Sequence, residues 1–489
     1  MTIWARALVL AAAVVAALAL QARHPTDAVA APPPADVAAW SVAESDSFRY
    51  HVQPAADGST ALDAPSFSTA YAPDAEQAML ELRLLLGATL PDKVDVFLYT
   101  DVARHDAAVA AIGRTEAAGL RATADPAAGD ITISLPTFQQ LSPVQAENAL
   151  RHALSHILTA AASDGKAPQG FDEGIAQYVE RPVNERLARI ASLVQAADQQ
   201  GALPSWFDMN RTLDEVDPDL VSAQTYSVIA FLIDRFDLPP LQRFLADLKT
   251  AATWRDALRS AYGRDPNALE QQWREDLPRW TSTGWRENVV SAFDLDPARE
   301  LLARANYQAA KAALEPSQGL YRQLNDPATL AEVDVLVTQA DTGIQAEGLM
   351  TQTQQALELH TYDRAASLVA QARSQYAVLP AEQRPEEMLA TYERLAAKGM
   401  EAEARLESAQ QLADSWGDYP EARASARDAG VAFAALGDQD NYDRAAKVLD
   451  DLDGRQRRIV LALAGLAVLT LAWLGLWLWA RGPSRLVWR

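Results

Sequence analysis

The stretch Leu150 to Leu158 reads LRHALSHIL and carries His152 and His156, four residues apart in an apolar, helix-prone run. On an α-helix, residues i and i+4 share a face with Cβ atoms ~5–6 Å apart, so both imidazoles can reach one ion. Zinc needs a further protein ligand and, in a catalytic site, keeps one position open. Glu173, in FDEGIAQYVE, lies 17 residues beyond His156, behind a Gly/Pro-containing loop long enough to turn the chain back. Two histidines and one glutamate form a hydrolytic zinc set, so the implied chemistry is metal-assisted hydrolysis and the expected cofactor is Zn2+. The chain has no cysteine, which excludes thiolate ligands and disulfides. His24, His51, His105 and His360 are isolated and read as surface or packing residues. An HxxxH pair alone is a weak signal; its weight comes from the DEGxAxYxE stretch that follows.

These residues need two helices to carry them. SPVQAENALRHALSHILTAAA predicts the first, with Ser142 as N-cap and Pro143 at the first helical position. FDEGIAQYVERP predicts the second, with Asp172 as its cap. Upstream, FRYHV (Phe48 to Val52), KVDVFLYT (Lys93 to Thr100) and GDITISLP (Gly129 to Pro136) read as strands. PDAEQAMLELRLLLG (Pro73 to Gly87) reads as a helix opened by proline and closed by glycine. Further helices are expected around TYSVIAFLIDRF and ALEQQWREDLPRW. The result is an α+β domain over residues 46–280, with a mixed strand/helix lobe leading into a helical lobe.

LRHALSHIL followed by FDEGIAQYVE resembles the helix pair of gluzincin metallopeptidases, specifically the peptidase MA-like group of exported and membrane-bound bacterial proteins. In that family the first helix reads H-E-x-x-H, and the second supplies a ligand from an E-G-x-A-x-Y stretch. By position, the resemblance assigns His152, His156 and Glu173 as metal ligands. The catalytic glutamate of the family falls at 153, where this chain has Ala153. There the glutamate takes a proton from the attacking water and delivers it to the leaving amine; alanine does neither. Such a positioned group is worth ~10²–10⁴ in rate. Glu147 lies five positions before His152, off the metal-facing direction. Tyr226 falls where relatives place a cleft-lining helix and is the candidate catalytic residue, as an oxyanion donor; a phenol is not a base at neutral pH.

Outside this domain the chain is organised around membranes and helices. Arg6 precedes the apolar run Ala7 to Leu20, so residues 1–22 read as a signal peptide or N-terminal anchor, and residues 23–45 as an Ala/Pro-rich linker. Residues 281–299 form a junction. From 300 to 455 a tyrosine followed by alanine recurs at Tyr307, Tyr362, Tyr419 and Tyr442, which predicts a TPR-like all-α region, or else an elongated helical bundle. Ile459 to Ala480 is an uncharged apolar run long enough to cross the ~30 Å hydrocarbon layer, leaving residues 481–489 as a cytoplasmic tail. Arginines on the two sides balance, so export by the N-terminal segment, followed by stop-transfer, sets the orientation. The bulk of the chain is then extracytoplasmic on a single-pass anchor in the cell membrane.

Composition agrees with a folded, multi-domain chain: 489 residues, 49% hydrophobic and 22% charged. A formal net charge of -22 argues against nucleic acid as a partner. Peptide or protein is the expected partner, and the C-terminal helix contacts the membrane. The leading expectation is a degenerate zinc metallopeptidase that binds without cutting efficiently. Two alternatives stay open: an active zinc peptidase with a non-standard base, and an interaction protein working through its helical repeats.

Overall fold

A computed structural model describes residues 33–55, 62–112, 122–209 and 218–482. The expected signal segment 1–22, the first part of the expected linker and most of the tail 481–489 lie outside the described residues. The chain divides into two compact units, one of residues up to Leu295 with Leu314–Val333, the other of Asp296–Ala313 with Asp334 onward.

In the first unit, β1 (Ser41–Glu44), β2 (Phe48–Val52), β3 (Val94–Tyr99), β4 (Ala122–Asp125) and β5 (Asp130–Ser134) form one sheet in the order β1-β2-β3-β5-β4. The three central strands run parallel, and both edges are antiparallel. Parallel neighbours need crossovers. The helices α1 (Ala64–Leu86) and α2 (Val102–Ala111) lie in the connections that follow β2 and β3. Two expectations are corrected here. The Ala/Pro-rich segment 23–45 is not all linker, because β1 lies within it; its side chains are mostly exposed and it owes its place to pairing with β2. The helix expected from Pro73 starts nine residues earlier. Asp63 accepts a hydrogen bond from the Ser66 amide and caps it, and Pro73 sits inside. The extra turns persist because Phe67 is buried against Tyr50, Tyr71 and Phe138, which offsets the ~3 kcal/mol loss at an interior proline.

The helical lobe follows: α3 (Pro143–Ser163), α4 (Gln169–Tyr178), α5 (Asn184–Gln199), α6 (Pro218–Phe236), α7 (Leu238–Leu248), α8 (Trp254–Tyr262) and α9 (Pro266–Ser282). The α3 start is as expected: the Ser142 amide donates to the Gln145 side-chain oxygen at 3.0 Å, and Pro143 takes the first position. Helix α4 packs closely on α6, because Gly174 has no side chain. A Cβ there would lie 2.6 Å from the Thr225 carbonyl oxygen, backbone that cannot give way.

Among its described residues the second unit has only helices: α10 (Asp296–Ala303), the start of α11 (Tyr307–Gln323), most of α12 (Pro327–Glu358), then α13 (Tyr362–Tyr376), α14 (Glu386–Leu412), α15 (Tyr419–Leu436) and α16 (Gln439–Ala480). Its repeat is built on a tyrosine set into a glycine. A Cβ on Gly343 would come within 2.2 Å of the Tyr307 ring, and one on Gly399 within 2.1 Å of the Tyr362 ring. Tyr307 donates its hydroxyl hydrogen bond to the Gln383 carbonyl at 3.2 Å, and Tyr362 donates to Asp438 at 3.0 Å. Each of these positions recurs 55 or 56 residues on. The unit is therefore an array of α-hairpins. Its period exceeds the ~34 residues of tetratricopeptide repeats because α12 and α14 run to 32 and 27 residues. The next equivalents, Tyr419 and Gly454, do not meet: no atom lies within 4 Å of the Cβ position at Gly454. Beyond it, residues 460–480 of α16 are exposed throughout. That stretch is long and apolar enough to cross a membrane.

Candidate metal centre

Helix α3 brings His152 and His156 to one face, and α4 sets Glu173 opposite them. The two Nε2 atoms are 3.3 Å apart, and the Glu173 carboxylate lies 3.9 Å from His152 Nε2 and 3.8 Å from His156 Nε2. Among the described residues these three form the group of ligand atoms close enough to hold an ion, all within 4.8 Å of one another.

The opposite ring nitrogens explain how the imidazoles are aimed. His152 Nδ1 meets Glu180 Oε1 at 3.0 Å, and His156 Nδ1 meets Asp172 Oδ2 at 2.8 Å. An ionised carboxylate only accepts, so each Nδ1 carries the proton and donates. Both Nε2 lone pairs therefore point at each other and at a third carboxylate. Lone pairs at this separation repel unless a cation or a proton lies between them. The donor set thus fits a zinc ion, and the carboxylate behind each histidine is the partner that metal-ligating histidines use. His152 registers the same field. Burial opposes its protonation, but the Glu180 hydrogen bond and the Glu173 and Glu180 charges outweigh it and raise its pKa above the usual value.

Glu180 is itself held from several sides. Arg186 donates to both its oxygens, at 2.5 and 3.2 Å. The peptides on either side of Glu180 are fixed to α3. Fully buried Arg151 donates from Nε to the Val179 carbonyl at 2.7 Å, and Asn148 bonds the amide and carbonyl of Arg181 at 2.6 and 3.0 Å. Arg151 and Arg181 share Glu81 of α1, each at 2.8 Å, which ties the metal-facing helix to the sheet lobe. Gln177 donates to Glu173 at 2.8 Å and to Ser222 of α6 at 2.6 Å.

Residues 74–278 match the family model of the peptidase MA superfamily. This segment is a peptidase MA domain. No curated protein matches the chain.

Within the peptidase MA domain, three of the four residues singled out by sequence come together, namely His152, His156 and Glu173. Tyr226 sits elsewhere in the packing: it is buried between Tyr178 and Trp280, and its hydroxyl accepts a hydrogen bond from Asn288 at 3.0 Å. Burial pushes its phenol well above the ordinary value, and no hydrogen bond joins it to the histidines. Asp172 was expected as the cap of α4, but the cap position is Pro168 and Asp172 orients His156 instead. Sequence reasoning missed Glu180, Gln177 and Arg186. The usable signal was the i,i+4 spacing of Glu173 and Gln177 within FDEGIAQYVE, which puts them on one helical face; nothing local marks Glu180 or Arg186. His51 and His105 are packing residues, the first stacked on Phe97 at 5.0 Å and the second buried. Position 153 is a buried alanine.

Proposed function

We propose that the chain is a membrane-anchored, extracytoplasmic zinc-binding protein whose peptidase MA domain binds peptide or protein substrate but cleaves it poorly. Members of this superfamily are usually zinc metallopeptidases. The observation that carries the reading is the contrast within one helical turn. His152 and His156 keep their oriented, carboxylate-backed geometry, while the intervening position that supplies the base in the family is Ala153. Zinc held by His152, His156 and Glu173 would supply Lewis-acid polarisation of a peptide carbonyl. The residues of the chain hold and orient; they offer no side chain at 153 to move the proton to the leaving amine. The long, fully exposed apolar end of α16 supports membrane anchoring.

Two measurements test this on the full-length protein. Elemental mass spectrometry is expected to find close to one zinc per chain, lost in His152→Ala. Peptide hydrolysis is expected to lie near background and to rise ~10²–10⁴-fold in Ala153→Glu, the range for a positioned acid–base group. Absence of zinc from the supplemented wild type would sink the metal assignment. Wild-type cleavage as fast as that of Ala153→Glu would mean that another base serves.

A further inference from the structure

The hairpin array leaves two aromatic residues at its last corner outside the tyrosine-in-glycine packing, Tyr419 bonding Arg455 of α16. Trp416 is 49% exposed, and its ring lies 5.5 Å from that of Tyr419, the residue at the head of α15 whose glycine partner position is open. The corner is fixed to one level of α16. Arg423 pairs with Asp453 and donates to Gln456 at 2.5 Å, and Arg455 reaches back to the Ala413 carbonyl at 3.0 Å and to Asp414 at 3.3 Å. Trp416, Gly417, Tyr419, Pro420, Arg423 and Gln456 line a pocket of about 280 Å³. Helix α16 then continues unbroken into the uncharged run from Ile459. Ile459 is three positions beyond Gln456, a rise of ~4.5 Å. The Trp416 corner therefore stands within one helical turn of the start of the apolar run. Arg457 and Arg458 occupy that same turn, and the structure gives them no acidic partner among the described ion pairs.

Indole and phenol rings favour the headgroup layer, where one end is apolar and the other wet. Cationic side chains beside them add attraction to anionic lipid. We propose that the Trp416–Tyr419 corner, with Arg457 and Arg458, is a second membrane contact, seated among the anionic headgroups of the bilayer that α16 crosses. This rests on the reading of α16 as a span. A single span leaves a protein free to tilt and rotate, whereas a second contact beside the helix axis fixes the face that the array turns to the bilayer.

The chain has no cysteine, so Ser415→Cys, Val431→Cys and Leu466→Cys each give one attachment point for an environment-sensitive fluorophore in the full-length protein. Val431 is exposed on α15, 12 residues beyond Tyr419. The labelled proteins are reconstituted in phosphatidylcholine vesicles containing phosphatidylglycerol, with nitroxides on the headgroup or the acyl chain. Acyl nitroxides are expected to quench the Leu466 label. Headgroup nitroxides are expected to quench the Ser415 label at least about threefold more than the Val431 label, and this excess is expected to shrink in Trp416→Ala/Tyr419→Ala and without phosphatidylglycerol. If the Leu466 label is quenched at depth but the Ser415 and Val431 labels respond alike, the corner faces water or a protein and the proposal is overturned while the span stands. If the Leu466 label is not quenched, the span itself is refuted and this contact with it.

Discussion

His152 and His156 each spend one nitrogen on a carboxylate, and that choice determines what the other nitrogen can do. With Nδ1 donating to Glu180 or Asp172, Nε2 is fixed as a lone pair and the ring is held in plane for a ligand. Removing the negative charge behind either ring, in Asp172→Asn or Glu180→Gln, is expected to lower zinc affinity ~10–100-fold each, measured by competition with a chromophoric chelator. Affinity equal to wild type in both would show that the carboxylates do not hold the rings for metal. The HxxxH spacing and Glu173 were legible at this scale, because helical periodicity alone decides that i and i+4 share a face. Asp172 and Glu180 were not, because a carboxylate in sequence looks the same whether it caps a helix, faces water or receives a histidine from another element.

Between elements, glycine decides how closely helices approach. Gly174 belongs to the DEG stretch beside Glu173, and its missing Cβ lets α4 meet the α6 backbone at Thr225. Gly174→Ala is expected to destabilise the peptidase MA domain by ~1–3 kcal/mol, as overpacking does, and to lower its zinc content by shifting Glu173. Gly399→Ala meets the Tyr362 ring instead. It is expected to destabilise the array by a similar ~1–3 kcal/mol and to leave zinc content unchanged. Denaturant unfolding with metal analysis of both variants checks the pair. Loss of zinc in Gly399→Ala, or full retention of zinc and stability in Gly174→Ala, would contradict this account. The tyrosine repeat was visible in the sequence as Tyr307, Tyr362 and Tyr419. Its partners Gly343 and Gly399 were not, since they lie 36 and 37 residues further on, in the middle of long helices.

Stability against pH and the fate of the apolar helix end are properties of the whole molecule. Asp234 of α6 has its pKa pushed up to about 7, first by burial and then by the charges of Glu287 and Asp276, with Arg279 opposing. The folded state therefore holds a proton that the unfolded state, with an aspartate pKa of ~3.9, has already released. The stability this group contributes is complete below that unfolded value and is lost as pH rises through about 7. Asp234→Asn is expected to match wild type near pH 4 and to be more stable by roughly 1–3 kcal/mol at pH 8. Thermal melts across that range test it, and a difference that does not grow with pH would refute it. Truncation after Arg458 removes the exposed apolar end of α16 and is expected to move the protein from the carbonate-resistant membrane fraction to the soluble one. Retention in the membrane fraction would place the anchor elsewhere.

Local signals sufficed for much of this protein. The strand Phe48–Val52, the start of α3 at Ser142 and Pro143, the HxxxH face and the uncharged run of α16 depend on neighbours within a few residues, so sequence alone determined them. Contacts between distant residues decided the rest. Strand β1 exists because β2 pairs with it; the first turns of α1 persist past Pro73 because Phe67 is buried against Tyr50 and Phe138; Tyr226 is taken up by Asn288. The carboxylates behind the two histidines acquire their role only when α3 and α4 fold together. Side-chain type fixes what a group can donate or accept, but its partner is chosen by tertiary packing.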